Sequence, residues 1–161
     1  MGMYTAFRGK VIIKEQYKEL VELINSGEWG IAVNKYPFLK EYYEIQRSTI
    51  IPYDIERISE QLDKDGEIYL EHDPSDWASD STYFTGLNGL EWTFITSLKD
   101  YPDREHGNKS PIETFIDVVL SEVTSKVITI QEAYEEWIYN DIPFVEYDFD
   151  KVVINKITRS S

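Results

Sequence analysis

"STYFTGLNGLEWTFITSL", residues 81–98, decides the fold. Two runs rich in β-branched and aromatic residues flank Asn88-Gly89. A two-residue type I′ turn favours that dipeptide because both of its central positions need positive φ. The stretch therefore predicts an antiparallel hairpin, and the rest of the chain has to be arranged around a sheet.

Downstream, "KDYPDREHGNK" (99–109) is a polar connection, and "SPIETFIDVVLSEV" (110–123) has the marks of a helix. Ser110 stands at the N-cap, Pro111 at N1 and Glu113 at N3, while Ile112, Phe115, Ile116, Val119 and Leu120 recur at helical spacing. The segment "KVITIQEAYEEWIYNDIPFVEYDFDKVVINKI" (126–157) reads as strand, turn and strand, although "IQEAYEEWIYN" (130–140) taken alone also fits a helix.

Upstream, "MYTAFRGKVII" (3–13) is rich in strand formers. "KEQYKELVELINSG" (14–27) sets Tyr17, Leu20, Leu23 and Ile24 on one helical face and stops at Gly27. An aromatic connection, "EWGIAVNKYPFLKEYYE" (28–44), leads to a second predicted strand, "IQRSTIIPY" (45–53). In the connection Trp29, Tyr36, Phe38, Tyr42 and Tyr43 are most simply packing residues, or a few of them line a groove. Ile55, Ile58 and Leu62 then mark a short amphipathic helix in "DIERISEQLDKDG" (54–66). No repeat or linker divides the chain. The expected order, β-α-β-α-β-β-α-β-β, gives an α+β fold: a mainly antiparallel sheet with two or three helices packed on one face. The expected extent is a single domain over residues 3–157, with 1–2 a cloning remnant and 158–161 a tail. Met1-Gly2 invites a myristoylation reading, but Ala6 stands where that motif needs Ser or Thr.

Charge is the strongest compositional signal. Thirty Asp and Glu against sixteen Lys and Arg give a formal charge of −14, which repels phosphate backbones and anionic membranes. A basic protein is the natural partner, or the acidity serves solubility alone. With no cysteine, disulfides and thiolate chemistry are excluded. No apolar run reaches the roughly 20 residues of a membrane-spanning helix, and the expected location is cytoplasmic.

Met3-Tyr4-Thr5, Arg8-Gly9 in the first strand, "SLKDY" (97–101), "IETF" (112–115) and the tail "YEEW…PFVEYDF" occur in an order that resembles a group of small uncharacterised bacterial and phage proteins. Those proteins open on a Met-Tyr-Thr strand and carry an Asn-Leu-Lys-Asn-Tyr-like turn before a late helix. Here Ser97 and Asp100 replace the two Asn, and "PDREHGNKS" lengthens the turn. The resemblance implies a strand around 127–136 and a phage or prophage origin, and it brings no activity with it.

"DKDGEI" (63–68) matches the middle of a calcium-binding loop, but Gln61 and His72 would occupy its first and twelfth ligand positions, so the segment reads as a turn. In "EHDPSDWASDSTYF" (71–84), Glu71 and Asp73 would share one strand face with His72 on the other, poor geometry for a metal. The second histidine, His106, lies in the polar connection; no Ser-His-Asp order, two-His motif or glycine-rich phosphate loop is signalled. The chain is thus expected to be non-enzymatic, without cofactor or metal. The expected partner-binding residues are Glu71, Asp73, Asp76, Trp77 and Asp80, with Glu135, Glu136 and Trp137 in a second acidic-aromatic run. Each run combines an aromatic anchor with carboxylates that steer a basic surface, or an aromatic that covers the core edge with acids that face water. The expected function is inhibition of a basic nucleic-acid-handling protein, a nuclease or a toxin, with carboxylates standing in for phosphates. The alternative is a small-molecule-binding domain or enzyme with an aromatic-lined pocket.

Overall fold

The computed structural model describes residues 4–60, 82–134, 144–150 and 153–159. Strand β1 (Thr5–Ile13) lies at the centre of a six-stranded antiparallel sheet of order β2-β3-β1-β4-β5-β6. The others are β2 (Gly86–Asn88), β3 (Glu91–Leu98), β4 (Thr124–Tyr134), β5 (Phe144–Asp150) and β6 (Val153–Arg159). The chain is an α+β protein, and the segment that periodicity alone left open at 130–134 is strand.

The hairpin forms with its turn one residue later than the sequence predicts. Asn88 pairs with Glu91, leaving Gly89-Leu90 as the connection. Of these two only Gly89 has positive φ, +61°, which is the pattern of a type II′ turn rather than I′.

On one face of the sheet, Phe7, Val11 and Ile13 of β1 and Trp92, Phe94 and Leu98 of β3 meet four helical pieces. These are α1 (Lys18–Asn25), α2 (Trp29–Lys35), α3 (Lys40–Tyr43) and the helix over 111–123, made of α5 (Pro111–Thr114), a π-helical turn (Phe115–Leu120) and α6 (Ser121–Val123). Helix α1 ends as its sequence demands. Gly27 sits at φ +77°, its N–H bonds to Ile24 O, and the Glu28 N–H reaches back to Leu23 O, which satisfies the last carbonyls. The Ser110 Oγ accepts the Glu113 N–H, as expected of that cap, and Asp100 Oδ1 takes the Ile112 N–H at 2.8 Å.

Aromatic rings make up much of this core. Phe115 lies edge-on to Phe7, Tyr42, Trp92 and Phe94, with centroids 5.4–6.1 Å away. Gly9 on β1 leaves the space that the Phe94 ring fills: a Cβ there would stand 2.5 Å from Phe94 Cζ and 3.0 Å from Thr129 O. Two bulges in β4, at Ser125 and Ile128, reset its alternation against β1. Val127 and Ile130 can therefore both point into the core, while Ile128 is left outside.

Two readings of the sequence are corrected. The supposed connection 28–44 is largely helical, because Trp29 and Ala32 bury on one side of α2 and Pro37 starts a 3-10 turn, Pro37–Leu39, that runs into α3. The supposed strand 45–53 is not a strand. Arg47 takes a left-handed φ of +66°, Ser48–Ile50 forms a 3-10 turn, and Pro52, which follows a cis bond, has no N–H for a ladder. Ile51 belongs to the helix-side core and Tyr53 to a smaller cluster with Ile58, Tyr83 and Ile95 on the opposite face. The chain thus rounds the edge of β3 here. Helix α4 (Ile55–Glu60), capped by Asp54 Oδ1 on the Arg57 N–H, packs on that second face, so the helices are not confined to one side.

Candidate functional site

All eight partner-binding residues expected from the sequence, Glu71, Asp73, Asp76, Trp77, Asp80, Glu135, Glu136 and Trp137, lie outside the described residues, as does the "DKDGEI" turn. The same combination of aromatics and carboxylates is assembled elsewhere, on the helical side.

Tyr17 closes a 3-10 turn, Glu15–Tyr17, and its ring meets Tyr36 at 6.1 Å and Phe38 at 5.8 Å. All three are half-buried and pack on the edge of the core. The Tyr17 hydroxyl donates to Glu122 Oε1 at 2.5 Å; that bond, with burial next, pushes its pKa up to about 12. Beside the rings is a shallow hollow of about 400 Å³, lined by Phe38, Glu41, Lys109, Asp117, Val118, Ser121 and Glu122. Residues 117, 118, 121 and 122 recur at one- and four-residue spacing, so one helix face supplies them together. Lys109 approaches Glu41 at 3.4 Å and Lys35 bonds Glu19, a contact that raises the Lys35 pKa. Both pairs are exposed and hold little energy, so a cation from another molecule can replace either lysine.

A second site lies where the polar connection meets the turn before Ser48. Asp103 is buried, and its carboxylate accepts the Gln46 N–H (2.8 Å), the Glu105 N–H (3.0 Å) and His106 Nδ1 (3.0 Å). These bonds, the Gln46 N–H first, hold its pKa below the usual carboxylate range. A carboxylate only accepts, so His106 Nδ1 is the donor and Nε2 is left for other contacts. Backbone bonds from Asp103 N to Lys109 O and from Asn108 N to Asp103 O close the loop. Its reversal uses left-handed Gly107 (φ +78°) and Asn108 (φ +57°). The resulting cleft, about 790 Å³, is bordered by Glu44, Arg47, Tyr101, Arg104, Glu105 and His106 among others. In the sequence His106 is the second histidine, set in the polar connection with no partner signalled by a two-His or Ser-His-Asp motif. The Asp103-x-x-His106 spacing just before Gly107-Asn108 was the signal that could have paired them.

Trp29 and Tyr42, candidates for an aromatic-lined pocket, are buried in the core with ring centroids 5.5 Å apart and so fill space rather than line it. Among the described residues no three His, Cys, Asp or Glu side chains come together as a metal site, and no helix is long and apolar enough to cross a membrane.

The fold and these surfaces define an antiparallel α+β protein with an acidic, aromatic helical face and a separate loop cleft. Comparison with protein-family models, curated proteins and solved structures gave no match.

Proposed function

We propose that this is an acidic, non-enzymatic binding protein that inhibits a basic, nucleic-acid-handling protein by occupying the surface that would meet phosphate. A phage protein acting on a bacterial defence nuclease and an immunity protein acting on a toxin both fit this description. The observation that carries the reading is the half-buried trio Tyr17, Tyr36 and Phe38 beside a hollow bordered by Glu41, Asp117 and Glu122. Rings of this kind contribute contact area and cation–π attraction to Lys and Arg, while the carboxylates accept their hydrogen bonds. The net charge of −14 steers a cationic partner toward the chain. The acidic-aromatic runs around Trp77 and Trp137 would extend the same surface chemistry.

The test is a salt-dependent pull-down from a bacterial lysate, followed by titration of the captured protein's own activity with the purified chain. Stoichiometric inhibition that is lost in a Glu41→Lys, Asp117→Lys double variant supports the proposal. Binding of the partner that survives charge reversal both there and at Asp73, Asp76 and Asp80 would sink it.

A further inference from the structure

The loop cleft above Asp103 has no part in that reading, and its lining is unexpected in so acidic a chain. Arg47 and Arg104 both border it, and neither makes an ion pair among the described residues. Nearby Lys40 and Lys109, by contrast, are matched by Glu44 and Glu41. The carboxylates at the cleft are mostly engaged: Asp103 by two backbone N–H groups and His106, Glu44 by Lys40. Glu105 is the carboxylate without such a bond among the described residues, so two guanidiniums and the His106 ring border the cleft together with three carboxylates, two of which already have partners. The Arg47 guanidinium carbon also lies 5.9 Å from the Tyr101 ring centre, and that ring is 38% exposed. Arg47 holds its place with a left-handed backbone, a conformation that a non-glycine residue keeps only when its surroundings impose it. The adjacent Gln46 N–H, fixed by Asp103, is part of that imposition.

We propose that this cleft binds a phosphomonoester whose carrier also bears a planar ring, the phosphate held by Arg47 and Arg104 and the ring stacked on Tyr101. Guanidinium forks match phosphate oxygens in pairs, and an exposed aromatic accepts any flat ring. The volume, about 790 Å³, falls within the roughly 300–1,000 Å³ of small-molecule sites. A long polyanion would feel the whole chain's negative charge, whereas a single phosphate responds mainly to groups within a Debye length of about 8 Å. The inference concerns a different cavity from the acidic hollow, with no lining residue in common, and stands independently of it.

The experiment is calorimetric titration and thermal melting of the full chain at about 0.15 M salt with adenosine monophosphate, inorganic phosphate and adenosine. The nucleotide is expected to bind saturably and raise the melting temperature, phosphate to do so more weakly, and adenosine not at all. Arg104→Gln alters an exposed side chain without a described ion pair, so it should leave the ligand-free melting temperature unchanged and weaken the nucleotide by about tenfold. Tyr101→Ala should weaken the nucleotide but not phosphate. Silence toward both phosphate-bearing probes up to about 10 mM, adenosine binding as well as its monophosphate, or wild-type affinity in Arg104→Gln would each overturn the assignment.

Discussion

Gly9 and Phe115 carry the core between them, one by lacking a side chain and the other by touching four rings. Gly9→Ala would drive a methyl group against the Phe94 ring and the Thr129 carbonyl, and the ring cannot retreat because Phe7, Trp92 and Phe115 enclose it. Overpacking of this kind is expected to cost about 1–3 kcal/mol, read as a lower urea midpoint with an unchanged slope. Phe115→Ala removes the shared ring and should cost about 3–5 kcal/mol in the same assay. Asn25 supplies a polar counterpart: its side-chain oxygen accepts the buried Trp92 indole N–H at 2.9 Å. Asn25→Ala leaves that donor without its partner and is expected to cost about 1–3 kcal/mol, whereas exposed Asn34→Ala should change little. Patterning flagged Phe115 as core, but nothing in the letters tied Asn25 to Trp92. Such pairs lie far apart in sequence, and an isolated Asn near a helix end usually reads as a cap.

Elements were legible where local rules agree. The hairpin, the Ser110 cap and the Gly27 stop each follow from short-range chemistry, and each formed. The hairpin turn moved by one residue because Asn88 is taken into the ladder opposite Glu91, which only the pairing of two strands can decide. Residues 45–53 failed for the opposite reason: their β-branched composition is real, but Pro52 and left-handed Arg47 break the extension that composition favours. The expected site residues fall outside the described residues, so the carboxylates recognised by their density in sequence are not those whose geometry is known. The Asp103 loop makes a prediction at this scale. Its carboxyl pKa is depressed in the folded protein, so the stabilisation is fully present above the ordinary value, about 3.9, and is lost as pH falls through the folded one. Asp103→Asn should therefore melt below wild type at neutral pH, and the difference should shrink toward pH 3; a constant difference would show that the charge is not what matters.

For the whole molecule, the charge imbalance governs association. Binding of a basic partner to the carboxylate face should weaken steadily with added salt, an effect measurable by calorimetry across ionic strengths, while phosphate binding at the cleft should respond separately to Arg104→Gln. The sheet itself has two unlike ends. Beyond the three-residue β2, the Tyr53 N–H takes Ile95 O at 3.0 Å, its hydroxyl takes Ser97 O at 2.8 Å, and Thr96 Oγ1 bonds Ile50 O at 2.5 Å. The outer rim of β3 is thereby plugged by the chain that rounds it, whereas β6 ends the described sheet on the other side with seven residues paired to β5 alone. Open-ended polymerisation through strand edges needs two receptive rims. With the β3 rim stoppered, a copy joined through β6 would use up the one long terminal strand left open among the described residues, so growth through the ends of the described sheet would halt at a closed pair rather than run on into a fibre.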